Sequence, residues 1–134
     1  MSKKAIENFL VKEIYVYLIK KASVGSTVCY EELAMHFGLP SSGNALGKFL
    51  SPLLGYIYAF CEDTKQPHVT AIVVRKSGAD KGLPGPGFWG LHGNSEYTRD
   101  IKRTITKQLH EKIFSYWGLL NKNELPIIEV DDGR

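Results

Sequence analysis

The chain has 134 residues, 43% of them apolar and 23% charged, with a formal net charge of +3. That length suits one domain with a real core and is too short for two, and the composition is that of an ordinary soluble globular protein rather than a disordered one. No apolar run is long enough to cross a bilayer, and the start, M-S-K-K-A-I-E-N-F-L-V-K-E, mixes charge into its apolar residues, unlike a secretory signal; the expectation is a cytoplasmic protein without a membrane partner.

In chain order, Ile6, Phe9, Leu10, Ile14, Tyr17 and Leu18 recur at spacings of three and four, which predicts an amphipathic helix over 3–22 with Gly25 just past its end. S-T-V-C-Y (26–30) is a short β-like piece. E-E-L-A-M-H-F (31–37) then reads as a short helix closed by Gly38. Ser41 or Ser42 is placed to cap the next helix. From Ala45 to Cys61 the chain is almost wholly apolar around Pro52, which predicts two helices or one broken helix. A segment this apolar is covered by its own fold or by a second copy. H-V-T-A-I-V-V-R-K (68–76), β-branched and nearly unbroken, predicts a strand buried on both faces. Asn94 or Ser95 would cap a long helix ending near Trp117, with Tyr97, Ile101, Ile105, Leu109, Ile113, Tyr116 and Leu120 as its buried stripe. The tail 123–134 offers a short strand over 127–130, so that the domain itself is 1–122. Cys29 and Cys61 lie far apart and read as two reduced thiols.

Between the strand and the last helix lies K-G-L-P-G-P-G-F-W-G-L-H-G (81–93). It contains G-x-G-x-x-G, but the glycines do not sit directly between a strand and a helix, Pro86 removes a backbone donor, and no Gly-Lys-Ser/Thr follows. A phosphate cradle is therefore disfavoured. Pro84-Gly85 and Pro86-Gly87 each fit the centre of a type II turn. The turns would aim Phe88 and Trp89 at a core edge, with His92 beside them as the histidine best placed for a ligand or contact loop.

G-S-T-V-C-Y-E-E-L-A-x-H-F-G-L-P resembles the start of a winged helix, with Ala34 at the helix crossing, Gly38 in the turn, and Leu46, Phe49 and Leu50 inward on the second helix. The order of segments over 14–90 also resembles alkyltransferase-like DNA-binding domains: helix, G-x-x-V-x-Y-x-x-L-A, glycine, second helix, Pro-led strand, glycine-rich loop. The resemblance implies DNA binding. It does not imply alkyl transfer, because Pro67-His68-Val69-Thr70 stands where that family has Pro-Cys-His-Arg. The segment T-A-I-V-V-R-K with G-L-P-G-P-G-F is similar to one in uncharacterised bacterial proteins, often from mobile elements, and implies no activity.

The charge is unevenly spread. Residues 65–112 carry nine Lys or Arg against four acids, while residues 1–64 balance at six and six. The candidate nucleic-acid residues are Ser42, Asn44 and Lys48 on the second helix, Arg75, Lys76 and Lys81 at the strand end and loop, and Arg99, Lys102, Arg103 and Lys107 on the last helix. No HExxH, CxxC or G-x-S-x-G pattern occurs, so no metal, cofactor or catalytic residue is indicated. The expected fold is a single α+β domain, winged-helix-like at its centre, with a small sheet and long terminal helices. The leading function is weak, non-specific, non-catalytic nucleic-acid binding. The alternative is an interaction module or homodimer joined through 45–61 by Leu53, Tyr56, Ile57 and Phe60. The third is an enzyme or small-ligand domain using the 82–93 loop.

Overall fold

The amino-terminal periodicity folds as expected: helix α1 spans Lys3–Ser23, and Val11, Ile14, Tyr15, Leu18, Ile19 and Ala22 fall on one fully buried face. Ile6 and Phe9 lie on its exposed end. The computed structural model describes residues 3–93 and 96–118. Strand β1 (Val28–Cys29) leads directly into helix α2 (Tyr30–His36). Gly25 and Gly38 each take positive φ after a helix. There the next two amides return to helix carbonyls, Gly25 to Ala22 and Ser26 to Lys21, Gly38 to Met35 and Leu39 to Ala34, so both glycines are the helix stops that the sequence indicates.

Helix α3 spans Gly43–Asp63 without a break. This corrects the expected interruption at Pro52. A proline inside a helix deprives the carbonyl four residues earlier of its amide. That residue is Lys48, and Lys48 and Pro52 are both exposed, so water can take the freed carbonyl. Leu50, Leu53, Leu54, Ile57, Tyr58 and Cys61 form the buried side of α3. Phe49, expected inward, is exposed.

The predicted strand over 68–76 is a second correction. Val69–Ile72 form a 3-10 turn and only Val73–Val74 form a strand, β2. β2 pairs parallel with β1, Val28 opposite Val73 and Cys29 opposite Val74. The expected burial is present at every residue from Val69 to Val74, but helices α1 and α3 and the last helix, α5 (Arg99–Gly118), supply it by packing on the turn. With β1 ending where α2 begins, there is no partner for a longer ladder.

The glycine loop departs furthest from expectation. Pro86–Leu91 form a short helix, α4, with Pro86 in its first turn. Gly85 has φ −79° and is its amino-terminal cap residue. The positive-φ glycine here is Gly82, where the chain turns back so that the Arg75 amide reaches the Leu83 carbonyl and the Gly82 amide reaches the Arg75 carbonyl. Successive type II turns centred on Gly85 and Gly87 do not form. Helix α5 starts at Arg99, with the Thr98 hydroxyl accepting the Ile101 amide as its cap. Its buried side is Thr106, Ile113 and Trp117, with Ile105 and Leu109 half-buried and Tyr97, Ile101 and Tyr116 exposed. The proposed caps Asn94 and Ser95, stripe residue Leu120 and the 127–130 strand lie outside the described residues.

The result is a mostly helical α+β fold with one two-stranded parallel sheet among the described residues. One cluster of buried side chains runs from Val11 on α1 to Trp117 on α5. None of its helices is long and apolar enough to cross a membrane, among the described residues.

Candidate binding cleft

The first half of α3, the start of α2, the end of β2 and the glycine loop surround a cleft of about 600 Å³. Its α3 wall is built from Gly43, Gly47, Ser51 and Gly55, four residues apart and therefore on one helix face. Ser42 occupies the cap position of α3 but its side chain makes no capping bond. The opposite wall is Gly85 to Phe88, and Thr70 from the 3-10 turn contributes to the lining.

The glycine wall is tied to α2 by one bond and braced within itself by another. The Gly85 amide donates to the Tyr30 hydroxyl at 2.7 Å, and the buried Trp89 indole N–H donates to the Pro84 carbonyl at 2.9 Å. Phe88 and Trp89 are buried, so they plug the core edge, and the Lys102 ammonium sits 5.6 Å from the Trp89 ring centre. Burial raises the Tyr30 phenol above its ordinary value, so at neutral pH it keeps its proton.

Past Phe88 lies a cluster of ionisable rings. His92 Nδ1 and the Tyr58 hydroxyl are 2.8 Å apart, and His92 stacks on Phe88. His68 stacks on Tyr58 and bonds the Glu62 carboxylate. Burial, with the neighbouring His68 second, holds His92 below the ordinary imidazole value, while burial raises Tyr58. His92 is therefore neutral at neutral pH, and its tautomer sets which of Nδ1 and the Tyr58 hydroxyl donates in the bond between them. No group of three or more His, Cys, Asp or Glu that could hold a metal occurs among the described residues.

The sequence-selected basic residues divide into two sets. Arg75 and Lys76 line the cleft together with Asn44. Lys76 lies 3.5 Å from the Glu31 carboxylate, while Arg75 has no ion-pair partner among the described residues. Lys48, one turn after Asn44 and outside the cleft lining, is exposed with its ammonium 6.0 Å from the Phe49 ring centre. The α5 set stands elsewhere and is largely occupied. Arg99 pairs with Asp80 at 2.8 Å, and Arg103 donates to the carbonyls of Lys81 (3.1 Å) and Ala79 (2.7 Å). Lys107 borders a shallow depression with Leu83, Thr106 and His110. Arg99 and Arg103 thus clamp the loop that follows β2.

The proposed dimer residues are also distributed by the fold. Leu53 and Ile57 are buried within the chain and Phe60 is half-buried, so only Tyr56 of the four is exposed. Cys61 is buried and Cys29 half-buried, neither in a disulfide, and burial pushes the Cys61 thiol up to about 11. Sequence reasoning missed Tyr30, Thr70 and the α3 glycine face. The last had a legible signal, small residues at 43, 47, 51 and 55. Tyr30 and Thr70 had none, since their roles rest on contacts with distant residues. No protein-family model matches the chain, and no curated protein or solved structure matches it.

Proposed function

We propose that the protein binds nucleic acid without catalysis, as a winged-helix-like domain, through the face that carries Asn44, Lys48, Arg75 and Lys76. The observation that carries this reading is the meeting of Asn44 on α3 with Arg75 and Lys76 at the end of β2 on one cleft. In chain order α3 is the second helix of the α2–α3 pair, where a recognition helix belongs, and the closed loop 75–83 follows the strand, where a wing belongs. Two cations and a helix start without a side-chain cap suit phosphate oxygens. α3 carries no Arg or Gln and a single Asn, so base readout is poor and binding depends little on sequence.

Anisotropy of labelled mixed-sequence duplex and single strands, titrated at several salt concentrations, tests this. Each phosphate contact on duplex adds about 0.9 to the log–log salt slope, so Arg75→Ala lowers it by about one unit, and Lys76→Ala adds less than one more because Lys76 is shared with Glu31. Replacing Arg99 and Arg103 leaves the slope largely unchanged, because both side chains are engaged within the chain. Absence of binding at about 50 mM salt and tens of micromolar protein would remove the reading.

A second reading has its own observation. Phe49 and Tyr56 are 48% and 41% exposed, two turns apart on α3, an apolar row that a second copy could cover. A dimer would then use the outer side of α3 rather than Leu53 and Ile57. Light scattering that gives 15.0 kDa at high concentration would remove it.

A further inference from the structure

We propose that the cleft is a binding site for a small organic anion with a flat apolar body, its charged group on Arg75 and Lys76 and its body between α3 and Phe88. The first argument is the space itself. A glycine inside a helix is less stable than an alanine, and α3 has glycines at 47 and 55 facing the cleft. A Cβ at Gly47 would meet nothing within 4 Å. No neighbouring atom therefore requires that glycine; what it provides is room in a cleft of about 600 Å³, a volume within the range of ligand pockets.

The second argument is a polar group without a partner. Thr70 lines the cleft, is 4% exposed, and its hydroxyl makes no hydrogen bond among the described residues. A buried hydroxyl left unpaired is destabilising; its oxygen is sealed from solvent, so a ligand satisfies it only where the lining around Thr70 gives way. The third is the lining chemistry. Arg75 and Lys76 supply positive charge, Lys76 sharing its charge with the lining carboxylate of Glu31, while Leu46, Leu54, Phe88 and Leu91 supply apolar surface. A cleft that joins apolar walls to charged side chains at its rim suits a molecule with one charged end. The inference is separable from nucleic-acid binding: phosphates and the small anion compete for Arg75 and Lys76 at the rim, but only the small anion needs the interior between α3 and Phe88.

The probe is 1-anilinonaphthalene-8-sulfonate, an anion on a flat naphthalene ring, titrated into the full chain beside its uncharged counterpart N-phenyl-1-naphthylamine. The expected result is saturable one-to-one binding of the sulfonate. Arg75→Ala weakens it by about tenfold or more while leaving the uncharged compound unaffected. Gly47→Leu, which puts a side chain into the cleft, weakens both compounds by about tenfold or more, with its folded circular dichroism retained. Ser51→Leu does the same from the next turn of α3 and serves if Gly47→Leu does not fold. Dye binding that is unsaturable, or unchanged in both leucine variants, overturns the proposal, because the dye is then held outside the cleft. Oligonucleotide anisotropy on the same variants separates the two readings: Gly47→Leu leaves the salt slope intact when phosphates bind at the rim, and failure of all oligonucleotide binding leaves the dye result standing.

Discussion

Gly85→Ala separates two explanations of the same glycine. A positive φ would make any side chain there strained, but Gly85 has φ −79°, which alanine adopts freely. The obstacle is Tyr30: a Cβ at Gly85 would lie 3.1 Å from its hydroxyl oxygen, 3.4 Å from Cζ and 3.6 Å from Cε2. That same hydroxyl accepts the Gly85 amide at 2.7 Å. Relieving the overlap means moving the phenol by a few tenths of an ångström, which stretches the bond. Overpacking and a weakened hydrogen bond together place the loss at about 1–3 kcal/mol. Tyr30→Phe alone also destabilises, by about 1–3 kcal/mol, because it strands a buried amide. In the Tyr30→Phe background, however, the contact at 3.1 Å is gone and the remaining ones at 3.4 and 3.6 Å are ordinary. Gly85→Ala then costs less than about 1 kcal/mol, a coupling of the size seen between touching residues. Urea denaturation of the four proteins of the cycle, compared at constant m, measures it. An equal loss from Gly85→Ala with and without the Tyr30 hydroxyl would refute the contact as the cause.

Gly47→Ala acts in the opposite direction: helix propensity adds about 1 kcal/mol with no contact to disturb, raising the melting temperature by about 3–4 °C, and a fall in melting temperature would show that the position has a packing role. Burial, reinforced at His92 by His68 and opposed at His110 by the Ala71 carbonyl, holds both imidazoles below 6.5. The unfolded chain therefore binds these protons first, so stability is full above the unfolded value and falls as pH drops through it toward the folded values. Urea midpoints between about pH 7.5 and 5 should fall in the parent and fall less in His92→Gln with His110→Gln; a parent midpoint that stays level contradicts the assignment. Arg103→Ala frees the carbonyls of Ala79 and Lys81 on an exposed loop, so global stability changes by less than about 1 kcal/mol. Amide exchange at Lys81 and Leu83, which bond Gly78 and Asp80, should quicken; unchanged exchange would mean the loop holds itself.

Local signals in the sequence were sufficient for much of the fold. The apolar spacing of 3–22 and the glycines at 25 and 38 are short-range properties, and α1, α2 and their ends follow them. The burial of 69–74 was legible in the same way, since a β-branched run must be covered. Whether it is covered as a strand was not. Three helices pack on it and β1 offers two residues for pairing, so the run turns where the pattern alone reads as extended.

For the candidate site the division falls between residue type and company. Asn44, Arg75 and Lys76 stand out in the sequence as groups for an anion, and so do Arg99 and Arg103, because charge and spacing cannot tell a free guanidinium from an engaged one. Tertiary structure separates them: Asp80 and the carbonyls of 79 and 81 occupy the α5 arginines, while Arg75 remains unpaired by any described carboxylate. Propensity, periodicity and hydropathy, which act over a few residues, were enough for α1, α2, their stops and the burial of 69–74, but not for the unbroken α3 or the short helix α4. That Gly85 answers to Tyr30 rather than to its own φ, and that Thr70 lines a cleft while its hydroxyl is sealed and unpaired, follows from the packing alone. Those facts depend on atoms brought together across tens of residues, which no local pattern encodes.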